Sequence, residues 1–150
     1  MKRRTVKPSA LIGLVSPEQP LFRALTNEEE LIMTGAEMIA VERQRQIEKE
    51  GWTPERDDAE HVGGGLARAA ICYAEHAQKY GWNATMPPHG VSKEDGTAHY
   101  RKITRPKTWP WAAKWWKPKD PVRDLVRAGA LIAAEIDRLQ RGRGARPFRG

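Results

Sequence analysis

Cysteine and long apolar runs are what this chain has least of, and each shortage closes off a class of protein. With one cysteine, Cys72, no internal disulfide can form. Its neighbours in a predicted helix are small and apolar, so it reads as a small buried hydrophobe of a reduced, cytoplasmic protein. No stretch approaches the ~20 apolar residues that a membrane-spanning helix needs. The start, Met1-Lys-Arg-Arg, is basic, but the apolar run behind it, Ala10–Val15, is short and lacks a cleavage site, so no signal peptide is read. Catalytic motifs are missing as well. Gly63–Gly65 lacks the lysine and the preceding strand of a phosphate loop, and neither a nucleophile elbow nor a Cys/His pairing is present. A buried thiol in an alanine-rich helix stays a thiol, which argues against covalent catalysis by Cys72.

Positive charge is in excess, yet it is unevenly placed. The chain of 150 residues carries a net charge of +7, but residues 1–7 and 141–150 hold eight lysines and arginines and no acid, leaving the body between them at −1. The tails suit non-specific contact with nucleic acid or another polyanion. The body shows no general basic face on this reading.

The length and a composition of 39% hydrophobic and 30% charged residues suit a single domain, and the periodicity is helical. Residues 1–25 hold Pro8, Pro17 and Pro20 and form an extended arm. Thr26 or Asn27 caps a helix of about 28–50 that ends at Gly51, with Glu28, Glu29 and Glu30 in its first turn. Its apolar stripe of Ile32, Ala36, Ile39 and Ile47 runs into Arg43, with Glu42 and Gln46 at its edge. A charge there needs a partner or a ligand.

Thr53-Pro54-Glu55 opens a second start, and a helix of about 60–80 follows with Val62, Leu66, Ala69, Ala70, Tyr73 and Ala77 inward. Three consecutive glycines are able to delay its start to Gly65. Asp120-Pro121 caps the third helix, 121–140, with Val122, Leu125, Val126, Gly129, Ile132, Ala133, Ile136 and Leu139 inward. Residues 81–119 form a long loop whose first half, 83–104, is expected to be mobile, and 141–150 form an unstructured Arg/Gly tail. The expected architecture is an all-α bundle of three main helices at 26–140, with a core thin enough to favour a homo-oligomer.

Four of the six tryptophans fall between 109 and 116, in Trp109-Pro-Trp-Ala-Ala-Lys-Trp-Trp-Lys-Pro118. Flat aromatic faces beside fixed positive charge suit a nucleobase and its phosphates. The same rings also serve as the lid of a small core, and each is weighed evenly between the two. Trp111 and Trp115 are assigned to the ligand, Trp109 and Trp116 to packing. Lys117 with Lys114 and Lys119, then Arg127 on the last helix, give a cationic rim that Arg43 and Arg68 complete if they face the same side. Gln46 stands at its edge. Asp57, Asp58 and His61 fall within five residues, a spacing that would allow a divalent ion to be shared, against the plainer reading of caps and dipole partners.

Two resemblances add to this. The strings Glu42-Arg-Gln-Arg-Gln46, Gly51-Trp52, Arg56-Asp-Asp58, Trp-Pro-Trp, Trp-Trp-Lys-Pro and Arg123-Asp-Leu-Val-Arg-Ala-Gly-Ala-Leu-Ile-Ala-Ala-Glu-Ile136 resemble a group of small phage and prophage proteins over residues 31–140. More distantly, Arg45, Gly51-Trp52 and Arg56-Asp57-Asp58, a Pro-containing aromatic segment and a helix opening near Arg123-Asp124 are similar to the ryanodine-receptor repeat domain. Thr53-Pro54 stands where that family has Tyr-Gly. The likeness implies a small helical domain, in some cases binding adenine nucleotides between tryptophans and arginines. By position it points to Trp52 and Arg56.

The resulting expectation is a phage protein that sequesters a host nucleotide signal of antiviral defence, cyclic or ADP-ribose-type, without catalysis or cofactor. One alternative is a magnesium-dependent all-α nucleoside-triphosphate pyrophosphohydrolase recruiting Glu28–Glu30, Glu42, Asp57, Asp58, Glu135 and Asp137, although Glu135 and Asp137 cannot share a helix face. The other is a nucleic-acid-binding or host-takeover adaptor using the basic tails and exposed tryptophans.

Overall fold

The computed structural model describes residues 24–144, and these fold as an all-α protein with no strand among them. The expected arm at 1–23 and the end of the tail at 145–150 lie outside the described residues. In chain order the helices are α1 (Asn27–Ile32), α2 (Gly35–Glu50), α3 (Pro54–Glu60), α4 (Gly65–Thr85), α5 (Lys93–Lys102) and α6 (Pro121–Gly144), with one 3₁₀ turn at Ala113–Trp115. None of them is long and apolar enough to cross a membrane.

The helix expected at 28–50 is two helices. Thr34 breaks it by forming a capping box: its hydroxyl accepts from Glu37 N at 3.3 Å, and the Glu37 carboxylate accepts from Thr34 N at 2.7 Å. Thr26 caps α1 in the same way through Glu29. Gly51 then ends α2 in the left-handed region, φ 71°, and Trp52 N donates back to Gln46 O. Thr53 and Pro54 open α3 as a cap and first helical residue.

The second expected helix starts five residues late and runs five further. Gly64, at φ 78°, turns the chain at His61–Gly64 before α4 begins at Gly65. The segment expected to be mobile contains α5, capped by Ser92 and held by Tyr100. That ring is buried, its hydroxyl donates to Asp124 at 2.7 Å, and its carbonyl meets His76 Nε2 at 3.1 Å.

The core lies where α6 packs on α4, with α5 on the other flank of α4 and α2 and α3 on α6. Its centre is Leu66, Ala69, Ala70, Cys72 and Tyr73 from α4, Ala128, Leu131 and Ala134 from α6, and Trp109 from the loop. The inward face expected for α6 is corrected. Val126 is buried as expected and Gly129 and Ala133 are half-buried, but Val122, Leu125, Ile132, Ile136 and Leu139 are about half exposed, and Asp124, Ala128, Ala130, Leu131 and Ala134 are buried instead. The alanine-rich face of α4 accepts the side of α6 that carries alanines, because small residues let the two backbones approach. Val62 also stays exposed, in the turn before α4.

Candidate functional site

A cleft of about 230 Å³ opens between α2, the connection after it, α4, α6 and the tryptophan loop. The capped end of α2 sets Trp52 at one wall, beside Arg43, Arg45, Gln46 and Glu50. Leu66 and Tyr73 of α4 and Leu131 of α6 form an apolar floor. Trp109, Trp111, Trp115 and Lys117 come from the loop, and Arg127 from α6. Of the nine residues assigned from sequence, seven therefore line one cleft: Arg43, Gln46, Trp52, Trp111, Trp115, Lys117 and Arg127.

The aromatic wall is continuous. Trp52 and Trp111 stack at 5.4 Å and 23°, with the His61 ring 5.0 Å from the first and 5.2 Å from the second. Trp109 meets Trp111 edge-on at 5.3 Å and Trp116 at 5.0 Å, and Trp116 stacks on Tyr73 at 4.9 Å. Edge-to-face and offset contacts of this kind stiffen a wall. Trp109 is buried and donates Nε1–H to Ala112 O at 3.2 Å, while half-buried Trp116 donates to Ile103 O at 3.4 Å. Trp115 differs: it is 48% exposed, makes no ring contact with the other described aromatics, and has Lys114 Nζ and Lys117 Nζ at 5.1 and 5.8 Å from its centroid.

The guanidiniums are placed otherwise than the sequence suggested. Arg43 is spent on the protein itself: Nη2 meets Asp57 Oδ2 at 2.6 Å and Nη1 donates to Trp52 O at 3.2 Å. Arg127 donates to the Lys117 carbonyl, pairs with Asp124 at 3.3 Å and lies over the Tyr73 ring. Arg56 sits outside the cleft, 4.5 Å over Trp52 and paired with Glu60 at 3.1 Å. Arg68 is exposed on α4 and does not line the cleft. Arginine forks thus hold the walls, and the ammonium groups of Lys114 and Lys117 supply charge at the mouth.

The Asp57, Asp58 and His61 cluster is not assembled for metal. Asp57 faces Arg43, Asp58 pairs with Arg141 at 2.8 Å, and His61 packs against the two indoles. Among the described residues no three His, Cys, Asp or Glu side chains gather around one point. The other carboxylates proposed for magnesium are dispersed likewise: Glu42 binds Arg45 at 2.7 Å, and Glu135 binds Arg138 at 2.9 Å. Asp58 also brings Arg141 out of the tail and onto α3, since α6 continues to Gly144.

Burial sets the protonation behaviour beneath the cleft. It holds His61 below the ordinary histidine value, against the pull of Asp57. It pushes the Asp57 carboxyl up, opposed by Arg43. Burial also raises the Tyr73 phenol. Three buried polar atoms of this cluster lack a hydrogen-bond partner: Arg43 Nε, Asp57 Oδ1 and His61 Nε2.

Arg45, Glu50, Leu66, Tyr73, Trp109 and Leu131 line the cleft without having been assigned to it. Arg45 and Glu50 were within reach, since Arg45 precedes Trp52 by about two turns of helix and Glu50 by two residues. Tyr73 and Trp109 read only as core, and they serve both purposes. The body also has a basic sector that net charge concealed: between 96 and 119 the chain has seven lysines and arginines, all exposed, and no acid. A search of protein-family models, curated proteins and solved structures finds no match to this chain.

Proposed function

We propose that this chain binds a small phosphorylated nucleotide in the cleft, with the base on Trp115 and the phosphates at Lys114 and Lys117. The observation that carries the proposal is Trp115 itself, a half-exposed indole at the rim of a cleft, without an aromatic partner and flanked by two ammonium groups. An indole face in that setting suits base stacking, and the lysines suit phosphate. Trp52 and Trp111 provide the rigid wall behind the ligand, with the Trp52 indole N–H donating to Glu50 at 3.1 Å, and Gln46 offers a hydrogen-bonding group to a base edge.

The cleft volume of about 230 Å³ suits a base and its sugar and leaves the phosphates at the open mouth. With carboxylates engaged by arginines, the reading favours holding the ligand over hydrolysing it. In a phage protein, as the sequence resemblance implies, the role would be sequestration of a host nucleotide signal used in defence.

The acid-free sector at 96–119 favours a second reading, single-stranded nucleic acid laid across Trp115. The two differ in salt dependence, which is steep for a strand contacting many cations.

Mass spectrometry of small molecules released by heating the protein, purified from cells producing nucleotide signals, tests the first reading. An intact nucleotide released in proportion to protein supports it. Release of a hydrolysed product, or of nothing by protein that was folded before heating, contradicts it.

A further inference from the structure

The face of α6 that the core leaves outside carries its own pattern. Val122, Leu125, Ile132, Ile136 and Leu139 are 53, 50, 48, 49 and 50% exposed. Gly129 completes their three- and four-residue repeat but is already covered by the Ile39 side chain of α2, so the exposed stripe is Val122 and Leu125 on one side of that contact and Ile132, Ile136 and Leu139 on the other. The glycine is required at its position because an added Cβ would collide with the Ile39 side chain of α2. The stripe contains no charged or polar side chain.

We propose that this stripe is the seam of a homodimer, covered by α6 of a second copy. Its lack of charge selects an equally apolar partner face. Among the described residues α6 is the helix that offers one, so the patch is complementary to itself, as a two-fold interface requires. The repeat spans 18 residues from Val122 to Leu139, about 26 Å of helix. Five half-exposed aliphatics leave on the order of 400 Å² of apolar surface per protomer, enough for the apolar centre of an interface of ~800 Å² per partner. The cleft lies on other faces of the bundle, so the seam does not depend on a ligand.

Sedimentation velocity of the full chain across the micromolar range, without nucleotide, tests this. The expected mass is twice the 17.0 kDa of one chain, falling to one chain in Ile132→Glu/Ile136→Glu with helical circular dichroism retained. A second readout covers the case in which the double variant does not fold. Ile132→Cys treated with a short bismaleimide should give covalent dimers, and Ile71→Cys, an exposed apolar position on α4, should not. A wild-type monomer throughout, an oligomer that the folded double variant leaves intact, or equal cross-linking at the two positions would overturn the proposal.

Discussion

Arg43 and Asp57 meet at 2.6 Å between α2 and α3, with the Asp57 side chain fully buried and that of Arg43 only 11% exposed. The same guanidinium donates to the carbonyl of Trp52 and so ties the ion pair to the aromatic wall of the cleft. The charge that interrupts the apolar stripe of α2 thus fastens the helix to the segment that follows it.

Removing one side of that pair should be expensive. Asp57→Ala leaves a buried guanidinium without its counter-ion and should cost about 3 kcal/mol of unfolding free energy, read as a lowered urea midpoint. Arg43→Leu/Asp57→Leu should be milder than Asp57→Ala alone, because no isolated charge is left behind. A loss of less than about 0.5 kcal/mol for Asp57→Ala would show that the pair does not hold α3 in place.

Two tryptophans of one tract should behave oppositely. Trp109→Ala removes a buried ring in contact with Tyr73, Trp111 and Trp116 and should cost about 3–5 kcal/mol of stability. Trp115→Ala should leave stability within about 0.5 kcal/mol and weaken nucleotide binding by about 1–3 kcal/mol. Denaturation and titration of both variants check the split.

Stability should fall as the pH drops from 7.5 to 6, in part through His61. Its folded-state pKa is held below the ordinary value of about 6.5 by burial, so in this window the unfolded chain takes up protons that the folded chain refuses. The raised carboxyls of Asp57 and Asp124 act in the opposite direction and belong to more acidic conditions. His76, also lowered by burial, adds to the loss. His61→Gln should therefore flatten the slope of midpoint against pH, and an unchanged slope would remove His61 from the account.

Thr34→Ala distinguishes the broken helix from the continuous one that the sequence suggested. Loss of the capping box should cost about 1 kcal/mol, whereas in an uninterrupted helix alanine would be the better residue by a few tenths. Thermal unfolding of the variant reads the sign.

What was legible in the sequence was what local chemistry dictates. Thr53-Pro54, Gly51 and Asp120-Pro121 mark boundaries because caps and left-handed turns are decided within a few residues. The tract of tryptophans announced the cleft, since rings so close together must share a surface. Helix α5 was not legible: its one buried large side chain, Tyr100, gives no period, and its anchors His76 and Asp124 are each 24 residues away. The face of α6 was misjudged for a related reason. Periodicity finds an apolar stripe but does not say which neighbour covers it, and close approach of α4 selected the alanines instead. Arg43, Arg56 and Arg127 carry charge suited to phosphate in any sequence, and only the structure shows the acids and carbonyls that already occupy them.

Isothermal titration of the full chain with a panel of phosphorylated nucleotides, comprising mononucleotides, cyclic dinucleotides, cyclic oligonucleotides and ADP-ribose-type signals, asks whether the cleft holds a nucleotide at Trp115 and Lys117. Saturable binding of at least one of them is predicted, weakened in Trp115→Ala and in Lys117→Ala while both variants stay folded. No binding of any of them by folded wild-type protein, or binding that ignores both substitutions, would contradict the account.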